Sequence, residues 1–308
     1  MGELALRGSM VAIVTPFRAD RLDEPAFKRL IELHVASGTS AVVPCGTTGE
    51  SATLSFDEHD RVIQLAVQAA RGRIPVIAGT GSNNTKEAIR LTKHAQTAGA
   101  AGALLISPYY NKPTQRGLYL HFKAVAEAVE LPLIVYNIAS RTAVNIEPET
   151  FAQLAEIPGI VGVKESSGNL EQMSRILQVT NGRLTLLSGD DALTLPVLAI
   201  GGAGVISVAA NVVPRDMAAL VEAFAAHRME DALRWHQQLL PLVKALFLET
   251  NPIPVKTAMG LLGMIRPELR LPLCAMSATN QERLAQALIG YGLLKPGGAA
   301  RHRRVART

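Results

Sequence analysis

Short runs of β-branched and other apolar residues recur along the chain at intervals of roughly thirty residues. Runs of this length and composition, each bounded by glycine, proline or polar residues, predict buried β-strands. The eight predicted strands are Met10–Thr15, Ala41–Cys45, Pro75–Ala78, Ala103–Ser107, Leu133–Asn137, Ile160–Glu165, Leu184–Ser188 and Val205–Ala209.

Between these runs, apolar residues follow three- and four-residue steps, which predict amphipathic helices. Clear examples are Asp23–Ser37, Phe56–Arg71, Asn84–Ala98 and Gln115–Val129. Strict alternation of strand and helix indicates a parallel sheet with crossover helices. Eight strands can close into a (β/α)8 TIM barrel. An open doubly wound sheet is less favoured, because Thr15–Arg18 stands where its glycine-rich phosphate loop would follow the first strand.

The chain divides into three predicted parts. Residues 1–226 form the (β/α)8 barrel, and residues 227–294 form an appended helical region punctuated by Pro252, Pro254, Pro267 and Pro272. Residues 295–308 carry four arginines, and we expect them to form a disordered basic tail.

Charge and cysteine content exclude some functions. The formal net charge of +5 comes mostly from the tail, so it gives no case for a nucleic-acid or membrane partner. Cys45 and Cys274 lie far apart, which favours a reducing compartment over a disulfide. Without a signal-peptide pattern or a membrane-length apolar run, we expect a cytoplasmic protein.

A lysine, Lys164, ends the apolar run that begins at Ile160. Burial disfavours the ammonium form of a lysine, and the neutral amine that results can attack a ketone. Alternation along the strand places Lys164 on the same face as Gly162, which would leave room for the lysine chain inside the barrel. From this run alone, a surface lysine at a strand end is an open alternative.

Other polar groups stand at the ends of neighbouring strands, where barrel enzymes have their active sites. Thr47 and Thr48, between two glycines, suit a tight turn whose backbone N–H groups can bind an anion. Tyrosines stand at the ends of the fourth and fifth strands, and Arg141 can bind a carboxylate. A nucleophilic amine with these groups indicates class I aldolase chemistry on a 2-oxo acid.

Several motifs, in their order along the chain, resemble the signatures of the dihydrodipicolinate synthase and N-acetylneuraminate lyase family. The resemblance covers roughly residues 8 to 294. It is carried by Gly46–Glu50, Tyr109–Pro113, Tyr136–Asn137, Arg141–Thr142, Gly162–Glu165, Ser188–Asp191, Gly204–Ser207 and Asn251–Lys256.

The resemblance implies that pyruvate condenses with L-aspartate 4-semialdehyde through a lysine Schiff base. The product would be 4-hydroxy-tetrahydrodipicolinate, in the diaminopimelate and lysine pathway. It also implies a homotetramer built from tight dimers, with no metal and no organic cofactor. The alternatives are an N-acetylneuraminate lyase, a 2-keto-3-deoxy sugar acid aldolase, or a non-catalytic barrel that binds a 2-oxo acid.

The same resemblance implies roles for individual residues. Lys164 would form the Schiff base, and Tyr136 would donate and accept protons beside it. Thr47, Tyr136 and Tyr110 would form a proton relay, with Tyr110 supplied by a neighbouring subunit. The residues implied to bind substrates are Thr47, Thr48, Arg141, Gly189 and the backbone carbonyl of Ile206.

Two departures from the family's usual pattern bear on function. Ala139 replaces a proline after the fifth strand, so we expect a looser loop around Arg141. Inhibited relatives bind lysine at positions that match Ser51, Ala52, His59, Asn83, Glu87 and Tyr109. Phe56 stands in place of a histidine common in those relatives, and a reading of His59 and Glu87 as solvated helix residues stays open.

Overall fold

The computed structural model describes residues 4–296, so the predicted basic tail lies outside the described residues except for Lys295 and Pro296. Eight strands form one parallel sheet. They are β1 (Gly8–Ala12), β2 (Ala41–Val43), β3 (Ile77–Gly79), β4 (Gly102–Ile106), β5 (Leu133–Asn137), β6 (Ile160–Glu165), β7 (Thr185–Ser188) and β8 (Gly204–Ser207).

The sheet closes on itself. Its hydrogen-bonded order is β2-β1-β8-β7-β6-β5-β4-β3. The two outer strands, β2 and β3, meet through a parallel bridge between Val42 and Val76, where the Val42 N–H donates to the Pro75 carbonyl at 3.0 Å. The predicted (β/α)8 barrel is therefore confirmed, with every predicted strand present and its ends shifted by at most a few residues.

Helices surround the barrel, and a further set follows it. The barrel helices are α1 (Glu24–Val35), α2 (Phe56–Ala70), α3 (Thr85–Thr97), α4 (Gln115–Glu127), α5 (Pro148–Leu154), α6 (Leu170–Thr180), α7 (Thr194–Ala199) and α8 (Pro214–Ala225). The later helices are α9 (Met229–Ala245), α10 (Ile253–Leu261) and α11 (Ala278–Gly290).

Local sequence explains where these helices begin. Ser55 caps α2 in a reciprocal capping box with Glu58, and Asn84 and Thr114 cap α3 and α4 through their side chains. Apolar residues recur at helical spacing along the longer barrel helices, so each of these helices has one buried face. No helix within residues 4–296 is long and apolar enough to cross a membrane.

Side chains alternate between the inside of the barrel and the layer beneath the helices. Ile134 and Tyr136 of β5 point inward, whereas Leu133 and Val135 belong to the outer core. The interior is filled by Leu6, Met10, Ala12, Ala41, Val43, Ile77, Leu104, Ile134, Tyr136, Leu187 and Ile206. The barrel is therefore a packed core that opens only at its carboxyl end.

The segment before β1 plugs the opposite end of the barrel. A Cβ on Gly102 would lie 2.7 Å from Leu4, and one on Gly162 would lie 2.9 Å from Leu6. The expectation that Gly162 leaves room for the Lys164 side chain is therefore wrong. Gly162 does face the interior, but the space beside it holds Leu6. The Lys164 side chain extends the other way, toward the carboxyl end of its strand.

Candidate active site

Lys164 and Tyr136 face each other inside the barrel. They are register partners on β6 and β5, so alternation points both side chains inward at the same height. The ammonium nitrogen of Lys164 lies 4.1 Å from the centre of the Tyr136 ring, and both side chains are buried. Lys164 is thus not the surface lysine that its strand alone allowed. A small cavity of about 60 Å³ opens beside the pair.

Gly189 provides the space that the lysine chain needs. A Cβ at this position would lie 2.9 Å from Cε of Lys164 and 1.9 Å from Oγ of Ser166. Any larger residue would therefore push against the Lys164 side chain. Ser166 was not singled out from the sequence, and its buried hydroxyl has no hydrogen-bond partner among the described residues.

The turn Gly46–Glu50 forms part of the wall of the cavity that Lys164 also lines. Thr47 and Thr48 both line the cavity. Within the described part of the chain, neither of their backbone N–H groups has a hydrogen-bond acceptor. The turn can come this close to β3 because residue 79 has no side chain. A Cβ on Gly79 would lie 2.3 Å from the Cys45 carbonyl oxygen. Two free donors beside two hydroxyl groups suit a carboxylate.

Arg141 lies at the mouth of the same cavity, in a single helical turn, Ala139–Thr142. Its guanidinium donates to the backbone carbonyl of Asn251 at 3.1 Å. Ala139 begins this turn, a position at which proline would also fit, and no proline is needed to form it. The sequence predicted a looser loop here, whereas the structure has a helical turn.

Asn251 is a site residue that sequence reasoning did not single out. Its side-chain amide donates to the hydroxyl of Thr48 at 2.9 Å, while its backbone carbonyl accepts from Arg141. Asn251 and Phe247, both from the region after the barrel, line the cavity. The only signal in the sequence was the motif Asn251–Lys256, which contributed to the family resemblance.

The remaining predicted residues lie at different distances from the cavity. Ile206 is buried inside the barrel, and Val208 further along the chain lines the cavity. Tyr110 does not join Thr47 and Tyr136 within this chain. Its side chain is 87% exposed and it is absent from the cavity walls, with its backbone in the left-handed region at φ 71°.

A second, larger cleft of about 420 Å³ continues outward from the threonine turn. Of the positions implied to bind lysine, all but Asn83 line it: Ser51, Ala52, His59, Glu87 and Tyr109. Glu87 accepts a hydrogen bond from Ser82 at 2.9 Å. The carbonyl of Asn83 accepts one from Asn111 instead.

His59 is buried, so the reading of it as a solvated helix residue is wrong. Its Nε2 lies 2.9 Å from the carbonyl oxygen of Gly79. Because a carbonyl oxygen only accepts, Nε2 must carry the proton and donate this hydrogen bond. Burial lowers the pKa of His59, and this carbonyl partly opposes the shift. The other ring nitrogen, Nδ1, has no hydrogen-bond partner among the described residues.

Known proteins are similar to this chain in both fold and sequence. The family model described as the dihydrodipicolinate synthetase family matches residues 5–289. The 4-hydroxy-tetrahydrodipicolinate synthase of Syntrophus aciditrophicus (strain SB) is 57% identical over 288 residues, covering 94% of this chain and 99% of the relative.

Solved structures agree with this assignment. The dihydrodipicolinate synthase from Aquifex aeolicus has a TM-score of 0.92 and 52% identity, covering 94% of this chain and 100% of the other. The chloride-inhibited dihydrodipicolinate synthase from Acinetobacter baumannii, complexed with pyruvate, has a TM-score of 0.92 and 44% identity over the same shares of the two chains. The chain therefore belongs to the dihydrodipicolinate synthetase family.

Proposed function

We propose that this enzyme condenses pyruvate with L-aspartate 4-semialdehyde through a Schiff base on Lys164, giving 4-hydroxy-tetrahydrodipicolinate for the diaminopimelate and lysine pathway. The observation that carries the proposal is the pairing of Lys164 with Tyr136 across β6 and β5, beside the two free N–H groups of the threonine turn. A buried amine next to an anion cradle is suited to a small 2-oxo acid.

Pyruvate binding and imine formation use the two walls of the cavity. The pyruvate carboxylate accepts hydrogen bonds from the N–H and hydroxyl groups of Thr47 and Thr48. The neutral amine of Lys164 then attacks the keto carbon to give a carbinolamine, which loses water to form the imine. We assign to the phenol of Tyr136 the donation of the proton that leaves with this water, because the centre of its ring lies 4.1 Å from the Lys164 nitrogen.

Carbon–carbon bond formation follows from the imine. The protonated imine withdraws electrons, so a methyl proton is lost and an enamine forms. The enamine carbon attacks the aldehyde carbon, and the aldehyde oxygen takes up a proton. The amino group of the aldehyde substrate then adds to the imine carbon and displaces the Lys164 amine, which closes the ring of the product and frees the enzyme. Arg141, exposed at the mouth of the cavity, binds the carboxylate of the aldehyde substrate. Gly189 borders this pocket, and the family resemblance assigns the Ile206 carbonyl to it as well.

The proton relay needs a second subunit. Tyr110 projects from the surface and cannot reach the cavity of its own chain in this conformation. We infer that it enters the site of a neighbouring subunit in a tight dimer and links Thr47 and Tyr136 to solvent. Two such dimers form a homotetramer, which works in the cytoplasm.

A product assay separates this reaction from other aldolases of the family. With pyruvate and L-aspartate 4-semialdehyde we expect turnover and a product that a dihydrodipicolinate reductase can reduce. With pyruvate and N-acetylmannosamine we expect no condensation. Preference for the sugar would contradict the proposal and favour a sialic acid lyase.

The larger cleft supports a regulatory role for lysine. The Glu87 carboxylate suits the ammonium group of a ligand, and Ser51 and Tyr109 offer further polar contacts. Phe56 also lines the cleft, where its ring lies 4.6 Å from the guanidinium carbon of Arg90. We expect partial inhibition by L-lysine, and initial rates unchanged at millimolar lysine would contradict this.

A further inference from the structure

A buried ion pair joins the threonine turn to the region after the barrel. The ammonium group of Lys256, on α10, lies 2.5 Å from a carboxylate oxygen of Glu50, and both side chains are completely inaccessible to solvent. Lys256 also donates to the Thr15 carbonyl at 3.0 Å and lies 4.4 Å from the centre of the Phe17 ring. The second Glu50 oxygen accepts from the backbone N–H of Arg270 at 3.1 Å.

Glu50 ends a turn with an unfavourable backbone. Its φ is 53°, and that of Cys45, just before the turn, is 57°. Both values lie in the left-handed region, which costs energy for residues other than glycine and persists only where surrounding contacts hold it. The buried carboxylate of Glu50 provides such a contact directly at the end of the turn that carries Thr47 and Thr48.

The same two segments are connected at a second point. Asn251, which precedes α10, donates to the Thr48 hydroxyl, and Lys256 contacts Glu50 further along both segments. Two separate attachments fix the orientation of one segment relative to the other, whereas a single attachment would allow rotation. The Thr15 hydroxyl adds a third restraint by donating to the Gly49 carbonyl at 2.7 Å.

Stability alone does not account for the charges. A buried ion pair is costly to desolvate, and apolar residues of similar volume are often as stabilising or more so. What the pair adds is a directional contact of defined length between two backbone segments. The segment that it restrains is the turn that carries Thr47 and Thr48, which line the same cavity as Lys164.

We propose that Glu50 and Lys256 are positioning residues that hold Thr47 and Thr48 in place for the pyruvate carboxylate. The inference rests on the proposed function, because it assumes that pyruvate binds on this turn. It makes α10 a part of the active site, although neither residue of the pair lines the cavity around Lys164.

The test compares the wild type with the double variant Glu50→Gln/Lys256→Met, which leaves no unpaired charge in the interior. We expect the folded double variant to need at least about tenfold more pyruvate for half-saturation, because a misplaced cradle weakens pyruvate binding. The dependence on the aldehyde substrate should change far less. Pyruvate with borohydride should still label Lys164, at higher pyruvate concentration.

A matched control removes a hydrogen bond between the C-terminal helices and the barrel at another position. Tyr291 donates to Asp216 at 2.6 Å and attaches the end of α11 to α8, away from the turn. The Tyr291→Phe variant should keep the pyruvate dependence of the wild type. If the double variant does not fold, Glu50→Asp keeps both charges but shortens the carboxylate side chain, and the same rise in half-saturating pyruvate is expected.

The outcomes are distinguishable. A folded double variant, or Glu50→Asp, with the pyruvate dependence of the wild type would overturn the positioning role and leave the proposed function intact. So would a loss of kcat with unchanged half-saturation. Failure of pyruvate to label wild-type Lys164 would overturn the proposed function, and this inference with it.

Discussion

Gly189 sets the space around the reactive amine. The glycine has no side chain to compete with Lys164 or with the Ser166 hydroxyl, which both approach its Cα. Close approach of this kind is a property that only glycine provides. In the proposed reaction pyruvate must also fit here, since Gly189 lines the same small cavity.

Replacing Gly189 by alanine should abolish labelling by pyruvate without unfolding the chain. The added methyl group would overlap Ser166 Oγ and press on Cε of Lys164, so the amine would leave its position near Tyr136. Mass spectrometry after borohydride reduction measures the adduct, and circular dichroism checks the fold. Gly290→Ala is the control, because a Cβ there meets nothing within 4 Å. Full labelling of Gly189→Ala would contradict this role.

The hydroxyl of Tyr136 should matter for turnover more than for folding. In Tyr136→Phe the ring still packs inside the barrel against Lys164, but the proton donor is lost. We expect kcat to fall by about 100-fold or more, which is typical for loss of a general acid. Tyr119→Phe, a half-buried tyrosine on α4, should leave kcat unchanged. A variant at position 136 with near-normal kcat would remove Tyr136 from the mechanism.

At the scale of elements, helix α1 carries a neutral histidine into the core. His34 is buried, and its Nδ1 lies 3.0 Å from the hydroxyl of Thr39. Burial lowers the pKa of His34 from 6.5 to about 4. The unfolded chain therefore binds a proton at this position more readily than the folded chain does.

Acidification between pH 6.5 and pH 4 should destabilise the fold through His34. In this window the unfolded chain gains the proton first, so the free energy of unfolding falls as the pH falls, by roughly 3 kcal/mol in total. His34→Asn should show a smaller fall in thermal midpoint over the same window. His227→Asn, which alters an exposed histidine, is the control. Glu165 and Asp191, whose pKa values burial raises, act in the opposite sense and are common to all three proteins.

A fall in midpoint that is the same in His34→Asn as in the wild type would contradict this account of α1. The comparison between variants is needed because other buried groups also titrate. His121, with its pKa lowered by burial to about 4, acts in the same direction as His34.

All eight strands could be predicted from the sequence, and β5 and β6 were predicted to the residue. They are buried on both faces, so their apolar runs end where the polar residues of the site begin. Lys164 and Tyr136 were predictable for the same reason. The role of Gly189 and the packing of Leu6 beside Gly162 were not, because they depend on side chains from distant segments meeting in space.

Two further features could not be predicted from the sequence: the helical turn at Ala139–Thr142 and the contacts of Asn251. A turn of four residues carries too little periodicity to be recognised. Asn251 meets Thr48 across 203 positions of sequence, and nothing local signals such a contact. The family resemblance identified these segments as motifs without saying what their side chains contact.

For the whole molecule, the cavity is assembled from the barrel and the region that follows it, and the proposed function adds a second subunit. The barrel contributes Lys164 and Tyr136, and the later region contributes Asn251 and Phe247 to the cavity wall. Tyr110 is so exposed that its predicted function requires a partner. The assembly proposed above is therefore open to a direct test by mixing subunits.

Two inactive variants should restore activity when mixed. In a hybrid dimer of Tyr110→Phe and Lys164→Met, one site combines an intact Lys164 from one subunit with an intact Tyr110 from the other. After dissociation and random reassembly we expect about a quarter of the wild-type activity, since half of the dimers are hybrids and each has one complete site. Mixing without recovery, although hybrids form, would show that Tyr110 does not act across the interface.

The central claim is that one buried amine captures the keto acid, and reductive trapping tests it most directly. The enzyme is incubated with pyruvate and borohydride, digested, and mapped by mass spectrometry. The chain offers a demanding internal comparison, since Lys256 is even more deeply buried than Lys164 but is paired with Glu50. We predict a single pyruvate adduct on Lys164 and none on Lys256. An adduct on Lys256 or another lysine, or no adduct at all, would contradict the account.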